Sequence, residues 1–327
     1  MLIVNPNICT DRTIEIEELL VGHVQRPRSG ATTLGGKGVN VARVARAFGS
    51  RAVIVTFLPS HDEVRLAALA QDEGATLTGV SVQGEARGAT IILEDSGRVT
   101  VLNEPGARVT TNDWEKLLVM VQSHFDANST VVCSGSLPPG SPANSYGRVV
   151  ELARDRGVRS VVDSSGEVLD EAIKAGADIV SPNLSEAETL LVGGRPENVD
   201  PSGPDVVDRA ARAVTGLIQR GARHAIVSVG SHGAAFDTDG RVAWCAAPVV
   251  NVLNPIGAGD SLVGGMVKAL EDGQSWEDAA RYGIVTASAS CEDRLAGGVD
   301  LARVRTLAMG LAPLHVLDSY LLPKVVA

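Results

Sequence analysis

Aromatic residues make up only 3% of this 327-residue sequence, and no apolar run approaches the roughly 18 residues of a membrane-spanning helix. So few aromatic rings disfavour a surface on which nucleic-acid bases stack. Basic residues are outnumbered by acidic ones, 29 against 39, and the net charge of −10 disfavours nucleic acid or an anionic membrane as a partner. We therefore expect neither, although a few local cations would suffice to bind a small phosphorylated ligand.

Cysteines are also few and widely separated. Cys9, Cys133, Cys245 and Cys291 form no C-x-x-C pair, so we expect buried thiols in a reducing compartment rather than disulfides or a zinc site. The first nine residues contain no basic region followed by an apolar run, so we expect no secretory signal. These features predict a cytoplasmic protein.

The hydrophobic residues, 44% of the chain, are mainly Ala, Val and Leu, a composition typical of helices packed on buried strands. Short apolar runs at residues 130–133, 158–163 and 224–229 alternate with helical patterns of about 10–15 residues, which predicts an α/β fold with a mostly parallel central sheet. Gly135, Asp163, Asn183, Gly230 and the turn at 257–260 are each predicted to follow a strand. Since ligands bind beyond the carboxyl ends of such strands, one cleft could collect them.

Two segments interrupt this alternation. Residues 90–93 and 98–102 read as a hairpin joined by a polar turn, and residues 13–30 are also unlike the rest of the chain. We interpret the two segments as a small β-sheet lid. The predicted division is a main α/β domain of residues 1–8, 34–80 and 107–327, and a lid of residues 9–33 and 81–106.

The stretch Asn-Pro-Ile-Gly-Ala-Gly-Asp at residues 254–260 organises the C-terminal half. Gly257 and Gly259 allow a turn whose backbone N–H groups point the same way, and the apolar spacing that follows predicts a helix starting at this turn. Such a turn can bind a transferring phosphoryl group, and Asp260 could take a proton from a hydroxyl. The alternative is an ordinary glycine loop in which Asp260 only caps the helix.

A second glycine-rich element, Gly-Gly-Lys-Gly at residues 35–38, opens an amphipathic helix that ends at Gly49. It matches neither the P-loop spacing nor the dinucleotide-binding fingerprint. Lys37 is therefore either a solvated loop lysine or a cation that faces a ligand anion.

With these elements in place, the chain resembles the ribokinase/PfkB superfamily of carbohydrate kinases. Residues 35–43 and 254–260 carry the two signatures, and the match runs in order from Leu2 to Cys291. Within the superfamily it is similar to the 1-phosphofructokinase/tagatose-6-phosphate kinase branch. The segments that carry this similarity are residues 11–13, 84–87, 103–106, 134–140, 162–167 and 181–183. The resemblance implies a ribokinase-like three-layer α/β/α fold with a β-sheet lid. Residues 315–327 match nothing in the family.

The resemblance also implies ATP-dependent phosphorylation of a sugar hydroxyl with Mg²⁺. Asp260 is then the general base, and the backbone of Gly257, Ala258 and Gly259 forms the anion hole. An aspartate at a helix N-terminus has its anion favoured, so we expect a weak base at rest. Glu186 corresponds to the family's residue that orders Mg²⁺, through water.

The remaining implied contacts divide between sugar and nucleotide. The residues expected at the sugar phosphate are Asp11, Gly36, Lys37, Asn40, Arg87 and Arg26. The residues expected at the nucleotide are Asn183, Ser228, Gly230, Gly233 and Ala287. Lys37 and Arg87 are expected to face the phosphate that the sugar already carries, because a lysine and an arginine converging on one anion form a suitable clamp.

Four positions depart from the family pattern: Pro255, Ser181, Ala86 and Ala89. They bear on the choice of sugar more than on the reaction type. Fructose 1-phosphate is the expected substrate, with tagatose 6-phosphate and fructose 6-phosphate as alternatives. A kinase of a free sugar or nucleoside, and a feebly active ligand-binding relative, remain further alternatives. Because open strand edges in the lid would otherwise be a liability, we expect a homodimer formed through the lid.

Overall fold

The computed structural model describes residues 1–193, 203 and 205–322. Its strands are β1 (Leu2–Val4), β2 (Cys9–Ile16), β3 (Ser29–Gly35), β4 (Val53–Pro59), β5 (Thr76–Val82), β6 (Arg87–Glu94), β7 (Val99–Asn103), β8 (Thr130–Ser134), β9 (Arg159–Asp163), β10 (Ile179–Val180), β11 (His224–Ser228), β12 (Gly233–Thr238), β13 (Arg241–Ala246) and β14 (His315–Leu321). Its α-helices are α1 (Lys37–Ala47), α2 (Glu63–Asp72), α3 (Thr111–Gln122), α4 (Ser145–Asp155), α5 (Gly166–Lys174), α6 (Leu184–Val192), α7 (Val206–Gln219), α8 (Ala258–Glu271), α9 (Trp276–Ser290) and α10 (Leu301–Met309).

Ten strands form one large sheet in the order β14-β13-β12-β11-β10-β9-β8-β1-β4-β5. From β11 to β5 every neighbouring pair is parallel, and β12, β13 and β14 are added antiparallel at one edge. Parallel neighbours need crossover connections, which the helices between successive strands supply. The predicted α/β fold with a mostly parallel sheet is confirmed.

Both faces of the large sheet are covered, because successive side chains of a strand point to opposite faces. In β1, Leu2 and Val4 belong to the core beneath α3 to α7, whereas Ile3 belongs to the core beneath α1, α2, α8 and α9. In β8, Val131 and Val132 divide between the two cores in the same way. The helices and the sheet therefore form the expected three layers.

A separate four-stranded sheet has the order β3-β2-β6-β7, and the predicted hairpin is its β6–β7 pair. Its strands come from residues 9–35 and 87–103, while β5 continues to Val82 in the large sheet. We call this smaller sheet the lid. The division into a main domain and a β-sheet lid stays a prediction, and residues 194–202, 204 and 323–327 of that main domain lie outside the described residues.

Three features differ from the sequence-based expectations. The turn at 257–260 does not directly follow a strand, since β13 ends at Ala246 and an irregular segment intervenes. The C-terminal segment, for which the sequence predicted no strand, adds β14 to the edge of β13. Cys291 is half-buried, whereas the other three cysteines are buried, and all four are unpaired.

No helix in the described part of the chain is long and apolar enough to cross a membrane.

Candidate active site

The strand ends of the large sheet bring side chains from four parts of the chain together. Lys37, the first residue of α1, lies with its Nζ 3.2 Å from Asp163 at the end of β9 and 3.7 Å from Glu186 on α6. Asn183 forms a parallel bridge with Ser228 at the end of β11. Gly135 follows β8, and its N–H donates to the carbonyl of Asp163. The strand-end residues predicted to share a cleft are thus adjacent.

Asp260 enters this cleft from the first turn of α8, where it is 5% exposed. Gly257 caps the helix in a left-handed conformation with φ of 84°, which glycine adopts without strain. The side-chain amide of Asn40 donates a 2.6 Å hydrogen bond to the Asp260 carboxylate. The carboxylate therefore lies beside the N-terminal part of α1, and Asn40, expected at the sugar, directly contacts the expected base.

The Asp260 carboxyl is a stronger base than its position at a helix N-terminus predicts. Burial, together with the nearby charge of Asp163, raises its pKa to about 7, against the opposing effects of Lys37 and the Asn40 hydrogen bond. The expectation of a weak base at rest is therefore wrong. That expectation rested only on the helix N-terminus, which favours the carboxylate anion. Desolvation of the carboxylate inside the fold disfavours the anion and outweighs this local effect.

The backbone around Gly257 carries hydrogen-bond donors that the protein leaves unused. Within the described residues, the N–H groups of Gly257, Gly259 and Asp260 have no acceptor. A Cβ added at Gly259 would meet nothing within 4 Å, so open space adjoins the turn. Pro255, one of the four departures from the family pattern, precedes these three residues, and its carbonyl accepts from the Ala258 N–H at 3.3 Å. Pro255 therefore removes none of the three free N–H donors of the turn.

Lys37 is surrounded by carboxylates. Burial opposes its charge, but Asp163, Glu186 and Asp260 outweigh burial and raise its pKa. Its side chain nevertheless keeps 40% of its surface exposed. The solvated-loop interpretation of Lys37 is therefore wrong. Its ammonium group is directed at the acids near Asp260, and its expected contact with the sugar's phosphate stays a proposal.

Asp163 is the site residue that sequence reasoning did not assign. It is 4% exposed, accepts from Lys37 through Oδ1, and accepts from the Ser134 hydroxyl through Oδ2 at 3.3 Å. Its charge is one cause of the raised Asp260 pKa. The only sequence signal was its place after a predicted strand, which marks a cleft residue without indicating its function.

Asn183 and Glu186 form a reciprocal cap at the start of α6. The Glu186 N–H donates to the Asn183 side chain, the Asn183 N–H donates to the Glu186 carboxylate, and both distances are 2.9 Å. Burial raises the pKa of Glu186 in spite of Lys37. The described residues contain no group of three or more His, Cys, Asp or Glu side chains that could hold a metal ion. A carboxylate such as Glu186 still suits Mg²⁺, which usually keeps several waters and few protein ligands.

The glycines of the 35–38 element make room for two buried polar side chains. A Cβ on Gly35 would lie 2.0 Å from Oδ1 of Asp11, and one on Gly36 would lie 2.7 Å from Nδ2 of Asn5. Burial raises the pKa of Asp11, which accepts from the Cys9 thiol at 3.2 Å. Asn5 Nδ2 is buried with no partner in the described chain. Asn5, to which the sequence assigned no function, therefore lies at the candidate site beside Gly36.

The two arginines expected at the sugar phosphate differ in their settings. Arg87 begins β6, and its Nε donates to the carbonyl of Asn7 at 3.0 Å, while its two terminal nitrogens have no acceptor in the described chain. Its charge also reaches Asp11. Arg26 lies exposed in the connection between β2 and β3, and no described residue binds it. Arg87 is therefore placed near Asp11, whereas no described contact joins Arg26 to the site.

The residues expected at the nucleotide lie beyond β11 and on α9. Gly230 opens a short 3₁₀ turn and has open space around it, whereas a Cβ on Gly233 would lie 2.1 Å from the Cys245 carbonyl. Gly233 is thus required for strand packing. Ala287 is half-buried on α9, where its carbonyl accepts from Ser290. Of these positions Ser228 is joined to the cleft, through its bridge with Asn183. A contact of any of them with a nucleotide stays a proposal.

Comparisons with known proteins identify the family. The model of the pfkB family carbohydrate kinases matches residues 6–301. A 1-phosphofructokinase of Haloferax volcanii is 32% identical over 289 residues, 88% of this chain and 90% of that protein. The ATP-dependent 6-phosphofructokinase isozyme 2 of Escherichia coli is 30% identical over 258 residues, 78% of this chain and 81% of that protein.

The fold is shared as well. The tetrameric inhibited form of phosphofructokinase-2 from Escherichia coli superposes with a TM-score of 0.80 at 25% identity, over 94% of this chain and 98% of that one. The resemblance expected from residues 35–43 and 254–260 is confirmed, and so is the expected enzyme class, an ATP-dependent carbohydrate kinase. The chain belongs to the pfkB family of carbohydrate kinases.

Proposed function

We propose that this enzyme transfers the γ-phosphoryl group of ATP to a hydroxyl of a ketohexose monophosphate, with fructose 1-phosphate as the substrate. The observation that carries the proposal is the pairing of a buried carboxyl of pKa about 7, Asp260, with the unused N–H groups of Gly257 and Gly259 beside open space. Phosphoryl transfer requires a proton acceptor at the attacking hydroxyl and donors at the transferring group, and this turn offers both.

In this proposal Asp260 accepts the proton of the attacking hydroxyl as the bond to phosphorus forms. The hydrogen bond from Asn40 orients its carboxylate. The Gly257–Gly259 backbone stabilises charge on the transferring phosphoryl group, and Lys37 offsets the negative charge of the surrounding carboxylates. Holding both reactants in line would supply a large part of the rate.

Mg²⁺ would be held through water by Glu186, with the nucleotide phosphates as its other partners. When bound, the ion neutralises charge on the phosphates. Ser228, Gly230, Gly233, Ala287 and Asn183 would border the nucleotide. In support, Asn183 bridges Ser228 and also hydrogen-bonds Glu186.

Arg87 supports a substrate that already carries a phosphate. Its terminal nitrogens are free within the described chain, and an arginine fork matches phosphate oxygens. Asp11 would bind sugar hydroxyls beside it. Ala89 pairs directly with Asp11 in the lid, so its small side chain enlarges the space next to the sugar. Fructose 1-phosphate is chosen over fructose 6-phosphate on the slightly higher identity to the 1-phosphofructokinase relative, 32% against 30%.

We also propose a homodimer formed by the lids of two copies, in the cytoplasm. β3 and β7 are free edges of the lid sheet. Ile14 and Ile92 are direct neighbours on one lid face, where both are partly exposed, and Leu102 is 60% exposed on the edge strand. A second lid would cover these apolar groups and the open edges.

A panel of phosphoryl acceptors tests the substrate. ADP release is measured with fructose 1-phosphate, fructose 6-phosphate, tagatose 6-phosphate, fructose and adenosine at equal concentrations. We expect the highest kcat/KM for fructose 1-phosphate and at least tenfold less for fructose. Equal turnover of fructose would contradict a phosphate-binding role for Arg87. ATP binding without turnover of any acceptor would favour a ligand-binding relative instead.

A further inference from the structure

Arg43 is a buried charge whose every N–H group is used. It is 6% exposed, and it lies one helical turn beyond Asn40 on α1. Guanidinium carries five N–H donors. Nε donates to the Glu73 carboxylate, and so does Nη2, which also donates to the carbonyl of Leu34. Nη1 donates to Asn40 Oδ1 at 2.7 Å and to the carbonyl of Ala296 at 2.9 Å.

The acceptors of Arg43 belong to separate parts of the site. Asn40 contacts Asp260, and Ala296 packs against Gly257, since a Cβ added there would lie 3.2 Å from the Ala296 methyl group. Leu34 lies in the last part of β3, where the lid joins α1, and its own N–H donates to Glu73 at 2.8 Å. One ion pair therefore holds together the lid, the start of α1 and the glycine turn.

The orientation of the Asn40 amide follows from Arg43. Because an amide oxygen only accepts and an amide nitrogen only donates, an arginine donor at Oδ1 leaves Nδ2 to face Asp260. A flipped Asn40 would place its oxygen against the carboxylate and its NH₂ against the guanidinium. The resulting 2.6 Å hydrogen bond is one of the two influences that favour the ionised form of Asp260.

Burial of an Arg–Glu pair is weak evidence for stability, because apolar residues of similar volume often replace such a pair without loss. The pair here contacts the Asn40 amide, which in turn donates to the Asp260 carboxylate. We propose that Arg43, fixed by Glu73, is a positioning residue for the kinase reaction, acting on Asp260 through the Asn40 amide. This inference rests on the proposed function.

The first test compares Arg43→Lys and Glu73→Gln with Arg46→Lys. Lysine cannot supply a planar fork, so Asn40 loses its fixed orientation in Arg43→Lys. We expect kcat to fall about 100-fold while KM for the sugar phosphate changes less than threefold, because misplacement of a reacting group acts on the chemical step. Glu73→Gln should show a smaller fall of the same kind. Arg46, exposed near the end of the same helix with no partner in the described chain, provides the matched control.

A double-mutant comparison tests the route. If Arg43 acts through Asn40, then Arg43→Lys combined with Asn40→Ala loses no more activity than Asn40→Ala alone. If the two losses multiply, Arg43 acts elsewhere and the proposal is overturned. Unchanged kcat in Arg43→Lys overturns it as well, and it leaves the proposed kinase function intact.

The cavity beside the ion pair permits a rescue experiment. Arg43 and Glu73 line a cavity of about 280 Å³, together with Arg46 and Arg51. Ethylguanidine could enter it in the Arg43→Ala variant. We expect added ethylguanidine to restore kcat at least tenfold in Arg43→Ala and to leave Asn40→Ala unchanged. Failure to rescue a folded Arg43→Ala enzyme would count against positioning by the guanidinium.

A readout without turnover separates this inference from the proposed function. Because the folded-state pKa of Asp260 is raised to about 7, the folded protein holds a proton that the unfolded chain loses near pH 4. Wild type therefore loses stability relative to Asp260→Asn as pH rises between about 4 and 7. In an Arg43→Lys background, the upper end of this window should move to higher pH, since Asn40 no longer favours the ionised carboxylate. An unmoved window overturns the positioning role even if no acceptor is ever turned over.

Discussion

The ammonium group of Lys37 lies 3.2 Å from the carboxylate of Asp163, at the junction of α1 and the end of β9. A cation that the sequence suggested for the sugar's phosphate is thus already paired with an acid, and it is also within reach of Glu186 and Asp260. Its positive charge balances the carboxylates of the cleft. Arg87, whose terminal nitrogens are free within the described chain, is better placed to bind a phosphate.

Substitution should separate these two cations. Arg87→Leu removes the guanidinium group whose terminal nitrogens are proposed to bind the phosphate. We therefore expect kcat/KM for fructose 1-phosphate to fall about 10- to 100-fold, which corresponds to the loss of about 1.5–3 kcal/mol from a charged hydrogen bond. The loss should appear mainly in KM. Lys37→Met instead leaves three acids without their counter-charge, so the loss should appear mainly in kcat. Steady-state kinetics of both variants make the comparison.

Fructose provides the internal control for that prediction. If Arg87 binds the phosphate, Arg87→Leu should turn over fructose as slowly as wild type does, because the contact is absent with this sugar. An equal loss on both sugars would show that Arg87 supports the lid rather than the phosphate, through its bond to Asn7.

The pH dependence of kcat/KM should report the Asp260 carboxyl. Asp260 must be ionised to accept a proton, and its pKa in the free enzyme is raised to about 7 by burial and by Asp163. The rate should therefore rise with pH up to about 7 and stay level above it. As a control, the pH profile of the residual activity of Asp260→Asn shows how much of the pH dependence comes from ionisation of the substrate phosphates. A wild-type profile that is level down to pH 5 would be incompatible with Asp260 as base.

Gly259→Ala should separate function from folding. A Cβ at this position meets nothing in the protein within 4 Å, and alanine is the better helix former, so we expect a melting temperature equal to wild type or slightly higher. The added methyl group occupies the space next to the unused N–H groups, so kcat/KM should fall at least tenfold. Circular dichroism melting and ADP release provide the two measurements, and full activity would show that no phosphoryl group approaches this turn.

The proposed lid dimer predicts a change of mass. Leu102→Glu and Ile14→Glu place charges on the face that a second lid would cover, so each should convert a dimer to a monomer by light scattering at micromolar concentration. Val119→Glu, an exposed apolar position on α3 in the main domain, is the matched control. A monomeric wild type would refute the lid interface.

The motif at 254–260 was enough to predict the start of α8 and the placement of Asp260 in its first turn, because glycine pairs and helical apolar spacing are local features. The alternation of strands and helices likewise predicted the parallel sheet. Asp163 could not be assigned, because its importance depends on β8, β9 and α1 packing side by side. Asn40 was expected at the sugar, but its hydrogen bond to Asp260, 220 residues away, could not be predicted for the same reason.

The basicity of Asp260 shows why local reasoning fails at such a site. The helix end is readable from sequence and favours the anion, whereas desolvation and the charge of Asp163 depend on the whole fold and act in the opposite direction. The antiparallel edge was missed for a related reason. β14 is mostly exposed and has no clear apolar alternation, so it becomes a strand only because β13 offers it an open edge.

The most direct test of the account is a single-turnover measurement of phosphoryl transfer from ATP to fructose 1-phosphate, with wild type beside Asp260→Ala. We expect Asp260→Ala to bind ATP with unchanged affinity and to transfer the phosphoryl group about 100- to 10,000-fold more slowly than wild type. Transfer at the wild-type rate by Asp260→Ala would contradict the assignment of this carboxylate as the general base.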